Sequence, residues 1–113
     1  MEISKYRLST SDLDQTVNYL ADKLRFDYEN HSSEMSVLAE EEYHLRSGSS
    51  QLNMVIAKKK EDYILLDIMG CAGGAGMLNC DFGTEKMYLK KVYPVLEMYC
   101  DEFGLVLEEL PKN

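Results

Sequence analysis

The chain has 113 residues, 45% of them hydrophobic and 28% charged, the balance of one globular domain and far from the polar, charge-rich composition of disordered chains. Its net charge of −8, from 20 acidic against 12 basic side chains, repels phosphate backbones and argues against nucleic acid as a partner. The opening MEISKYRLSTSDLDQ has neither the basic flank nor the apolar run of an export signal, and no apolar stretch is long enough to span a bilayer; the expected setting is the cytoplasm, with no membrane partner. Cys71, Cys80 and Cys100 are an odd number, which fits reduced thiols better than a disulfide framework.

Tyr6 and Leu8 alternate with Lys5 and Arg7, so EISKYRLS is predicted as a half-buried strand. Leu13, Val17, Leu20, Ala21 and Leu24 then fall at helical spacing, with Ser11 as the expected cap and Asp12 and Asp14 at the positive end of the helix dipole. Residues 26–46 are ambiguous. Met35, Val37, Ala39, Tyr43 and Leu45 share one parity, which favours a strand from about 35 to 46 over the rival helix. In QLNMVIAKKKEDYILLDIMG, Leu52, Met54 and Ile56 form one stripe and Ile64, Leu66 and Ile68 another, with KKKED at the bend of a hairpin.

GMLNCDF follows as a further expected strand, with Leu78, Cys80 and Phe82 on one side. The last long element is a helix: Leu89, Val92, Leu96, Tyr99 and Phe103 make its stripe, Thr84 opens it and Gly104 closes it. Pro94 lies inside and should kink it near Lys90. The tail LVLEELPKN reads equally as a short strand or a turn. The predicted fold is α+β in two layers, an antiparallel sheet with two helices on one face in the order β-α-β-β-β-β-α. The TATA-box-binding-protein-like architecture shares this order, an analogy of shape alone.

Most of the glycine lies in DIMGCAGGAGMLNCDFG, residues 67–83. Gly70, Gly73, Gly74 and Gly76 do not make the G-x-G-x-x-G of a dinucleotide site, no Lys-Ser/Thr follows as in a P-loop, and a strand rather than a helix is expected next. A turn that uses glycine for positive φ is the simpler reading. Cys71 and Cys80 are separated by eight residues and lack the close pairing of a zinc site, with Cys100, His31 and His44 elsewhere, so no metal or other cofactor is expected. A Cys71 nucleophile would need a base that the sequence does not place beside it. The run Glu40, Glu41, Glu42 reads as a solvated face.

One pattern is less ordinary. If Leu52, Met54, Ile56, Ile64, Leu66 and Ile68 face the helices, the opposite face carries Val55, Tyr63, Leu65, Met69 and Met77, too apolar to be simply wet. Such a face packs against a second copy, a partner protein, an apolar ligand or the chain's own loops. A competing site is a pocket between sheet and second helix, lined by Cys71, Gly73, Gly74, Tyr88, Tyr93 and Cys100.

From about residue 38 to 97, the strand residues EEEYHLRSGSSQLNMVIAKKKEDYILLDIMG, the Gly-rich turn AGGAG, a short strand and then FGTEKMYLKKVYPVLE resemble a bacterial family of small proteins that contain a domain of unknown function. The resemblance implies a compact bacterial cytoplasmic protein and brings no catalytic residues. The functional expectation is a non-catalytic binding or protein-interaction module, self-associating as a homodimer. The alternatives are a small-molecule-binding protein or enzyme using the pocket, and an acidic inhibitor or immunity-type protein whose charge steers it to a basic partner.

Overall fold

The computed structural model describes residues 1–44, 49–72 and 84–112. The alternation in EISKYRL becomes β1 (Glu2–Leu8), with Tyr6 and Leu8 buried and Arg7 exposed between them. There follow α1 (Leu13–Lys23), β2 (Tyr28–His31), β3 (Met35–His44), β4 (Ser49–Lys59), β5 (Ile64–Ala72), α2 (Thr84–Phe103) and β6 (Leu107–Leu110). The strands form one antiparallel sheet in the order β2-β3-β4-β5-β1-β6, so the first strand lies between β5 and the last.

The element content differs from the expected order in two places. Tyr28–His31 is a strand where none was predicted, and the tail adds β6 against β1. The strand expected over GMLNCDF, with Met77, lies outside the described residues, as do Gly73 and Gly74.

Both helices pack on one face of the sheet. Leu13, Val17 and Leu20 of α1 and Tyr88, Val92, Leu96 and Tyr99 of α2 share a core with Leu8, Leu38, Val55, Leu66 and Ile68. Each fully buried aliphatic side chain contributes roughly 1.5–3 kcal/mol of transfer free energy to this core. Asp12 caps α1: it directly precedes Leu13, so its carboxylate accepts the Gln15 amide at 3.0 Å, and the cap is not the expected Ser11. At its other end α2 passes through Pro94 and stops at Gly104, whose φ of 66° turns the chain so that the Leu105 amide reaches the Cys100 carbonyl at 2.9 Å. The Tyr99 hydroxyl, 2.7 Å from Thr16 Oγ1, donates to Gln15 Oε1 at 3.1 Å and ties the helices together.

The expected faces of β3 and β4 are inverted. Lys59 pairs with Ile64 across the loop 60–63, where the Lys60 amide donates to the Tyr63 carbonyl. In that register Val55 lies beside Ile68 and Ala57 beside Leu66, all buried, while Leu52, Met54 and Ile56 turn to the other face. A slip of one residue moves every side chain across the sheet, and here it makes Val55 a core residue with 0% exposure. Leu38, paired with Val55, carries the inversion into β3: Ser36, Leu38 and Glu40 are buried, and Met35 and Tyr43 are exposed.

Candidate functional site

The sheet face away from the helices is built from pairing rungs. One rung reads Tyr28, Ala39, Met54, Met69, Ile3 across β2, β3, β4, β5 and β1. The next reads Asn30, Val37, Ile56, Asp67, Lys5, Leu110, and the flanking rungs are Met35, Lys58, Leu65, Arg7, Glu108 and Glu41, Leu52, Cys71. Leu52 keeps 42% of its surface and Tyr43 59%, while Val37, Met54, Ile56, Leu65 and Met69 are half-buried by their neighbours on the same face. An apolar field thus crosses four strands with no described helix on it.

Five of its six described strand charges are paired. Asp67 lies 3.8 Å from both Lys5 and Lys58 on the adjoining strands, and Arg7 bonds Glu108 of β6 while its guanidinium rests 5.4 Å over the Tyr63 ring. Of the residues expected to form this surface, Leu65 and Met69 lie on it, Tyr63 is at its edge against Arg7, and Met77 is outside the described residues. Val55 is the correction: it faces the helices. Val37, Leu52, Met54 and Ile56 replace it, residues that the sequence offers as an apolar stripe without saying which way it points.

The expected pocket does not assemble among the described residues. Cys71 pairs opposite Leu52 on the open face, whereas Tyr88 and Cys100 are buried on the helix side. Tyr93 lies elsewhere on α2, with its ring 5.9 Å from Tyr6. Burial, with a smaller push from Asp101, raises the Cys100 thiol above its ordinary value, so it stays protonated. Tyr93 and Cys100 do share a shallow groove of about 340 Å³ with Glu97, Asp101, Leu105 and Leu107.

The helix side of the sheet holds a polar cluster in place of a solvated glutamate run. Glu40 pairs with Asn53 and Glu42 with Gln51 in the β3–β4 ladder, and Gly70 continues the first of these rows without a side chain. Glu40 is 4% exposed, Asn53 and Gln51 are buried and Glu42 is half-buried; only Glu41 points to the open face. Asn53 Nδ2 donates to Glu42 at 3.0 Å and Glu40 at 3.4 Å, its oxygen accepts from Gln51 Nε2 at 2.5 Å, and Arg25 reaches Glu40 at 3.2 Å. Tyr88 is 3% exposed, and its hydroxyl has no hydrogen-bond partner among the described residues.

His31 clasps the β2–β3 hairpin, with Nδ1 2.8 Å from Ser36 Oγ and Nε2 3.0 Å from Glu29. Among the described residues no group of three His, Cys, Asp or Glu side chains comes together to hold a metal ion, and no helix is long and apolar enough to cross a membrane. No family model matches the sequence, and no curated protein or solved structure matches it either.

Proposed function

We propose that this chain is a non-catalytic protein-interaction module that self-associates by stacking the open sheet faces of two copies. The observation that carries the reading is the apolar field of Val37, Leu52, Met54, Ile56, Leu65 and Met69 on a sheet whose described helices lie on its other side. Six strands about 4.8 Å apart, each contributing some seven residues at about 3.3 Å, give a face of roughly 600–700 Å². That approaches the ~800 Å² per partner of a standard interface, and two such faces pack at about 10 Å, as in sandwich folds.

Charge supports the choice of a second copy. The described open face carries three cations, Lys5, Arg7 and Lys58, and three anions, Glu41, Asp67 and Glu108, so it is neutral although the chain is at −8. Two such faces meet without local repulsion, and their unlike charges can pair across a two-fold axis. The setting that goes with this reading is a bacterial cytoplasm, from the resemblance and the odd number of thiols.

Light scattering coupled to gel filtration tests it. The wild type should elute with the mass of two chains. Met54→Asp, which places a charge at the centre of the field, should elute as one chain with an unchanged circular dichroism spectrum. A wild type of single-chain mass at high micromolar concentration overturns the proposal.

A further inference from the structure

The polar cluster at the Glu42 end of β3 is a separate site from the open face, because Glu40, Glu42, Gln51, Asn53 and Tyr88 are all on the helix side of the sheet. Two carboxylates on one strand face, one almost fully buried, make an unusual interior, since a buried charge costs several kcal/mol unless donors surround it. The described donors are few. Asn53 supplies N–H groups to both carboxylates, and Arg25, whose side chain is 64% exposed, supplies one to Glu40 from the rim. Glu42 receives only the Asn53 amide among the described residues.

Tyr88 is the second and independent observation. Its side chain is buried and its hydroxyl meets no donor or acceptor among the described residues, although it lies within electrostatic reach of both carboxylates. Burial first, and then the charges of Glu40 and Glu42, push this phenol well above its ordinary value, so the hydroxyl keeps its proton. An enclosed hydroxyl with no partner among the described residues, within electrostatic reach of carboxylates that have few described donors, is the complement of a ligand that brings N–H groups and positive charge.

We infer that this cluster binds a small organic cation, a primary ammonium or guanidinium group, held by the Glu40 and Glu42 carboxylates with the Tyr88 hydroxyl alongside. The guanidinium fork and the ammonium tripod both present several donors to a carboxylate pair, and charge-assisted bonds of this kind are about twice as strong as neutral ones. A metal ion fits less well. The Asn53 oxygen is turned to Gln51 rather than toward the carboxylates, which leaves too few oxygens for a hard cation. Half-buried Glu42 gives the approach from solvent, and the net charge of −8 draws cations toward the chain.

Calorimetric titration of the full chain with agmatine and with putrescine tests the inference, with tetramethylammonium and Mg²⁺ as controls. One agmatine or putrescine should bind per chain, Glu42→Gln should weaken it by about tenfold or more, and the near-isosteric Tyr88→Phe should weaken it several-fold. Tetramethylammonium, which has the charge but no N–H, should not bind. Absence of heat with both amines up to millimolar concentration, equal binding by tetramethylammonium, or displacement of agmatine by Mg²⁺ each overturns the site. Should Glu42→Gln not fold, the side-chain amide resonances of Asn53 and Gln51 in the wild type decide: they must move on agmatine addition, and fixed resonances overturn the inference. Repeating the titration on monomeric Met54→Asp separates this site from the dimer proposal, since binding there should be unchanged.

Discussion

Tyr88, Tyr99, Tyr6 and Cys100 are acids that folding takes out of water, and in each the loss of hydration is the first cause of a raised pKa. The folded chain therefore holds these protons at a pH where the unfolded chain releases them. The unfolded state binds fewer protons there, so the stability they contribute is complete below the ordinary thiol value of 9.0 and the phenol value of 10.0, and is lost as pH rises above them. Urea unfolding measured in steps from pH 7 to 11 should show this alkaline loss, with a shallower slope in Tyr88→Phe. A Phe variant as steep as the wild type would mean that Tyr88 is not buried as described. The same substitution should leave stability at pH 7 unchanged or raise it, because the hydroxyl it removes has no described partner. Unchanged or raised stability in that variant would mark the hydroxyl as a group the fold itself does not need, as the inferred cation site requires.

At the scale of elements, the β4–β5 register decides which surface is core and which is open, and it yields a direct contrast. Val55→Ala removes two methyl groups from a fully buried position and should cost about 2 kcal/mol, while Met54→Ala, one residue away on the half-covered face, should cost under about 1 kcal/mol in the monomer, both read by urea denaturation. Reversed values would restore the opposite register. This is also where the sequence was hardest to read. The two helices were legible because each has one apolar stripe against a polar remainder, and β1 because Lys5 and Arg7 interrupt Tyr6 and Leu8. From residue 54 to 57 both parities are apolar, Met54 and Ile56 on one and Val55 and Ala57 on the other, so alternation identifies a strand but not its direction; the four-residue loop 60–63 settles that, and its length cannot be read from KKKED. β2 is not legible in the sequence because YENH has no apolar stripe: all four residues are exposed, and the strand is held by its ladder to β3 and by the His31 clasp. A glutamate run such as Glu40–Glu42 usually reads as a solvated face; the inward parity of β3, and Asn53 opposite, turn Glu40 and Glu42 to the helix side.

For the whole molecule, the net charge of −8 and the neutral open face pull in different directions, and salt separates them. Two copies that approach each other repel over a distance set by the Debye length, about 10 Å at 0.1 M salt, while the contact itself is apolar and only locally charged. Screening removes the long-range repulsion sooner than it weakens the buried contact. Self-association should therefore tighten as salt rises from about 0.05 to 0.5 M, and the melting temperature should climb with protein concentration, as mass action requires of a dimer. An acidic inhibitor of a basic partner predicts the opposite sign, because there the long-range field draws the partners together and salt slows their encounter. Sedimentation equilibrium of the isolated chain across that salt range reads the sign directly: tightening supports stacked open faces. A single-chain species at every salt concentration would leave the apolar field of Met54 and Met69 without a second copy and shift the weight to a basic partner.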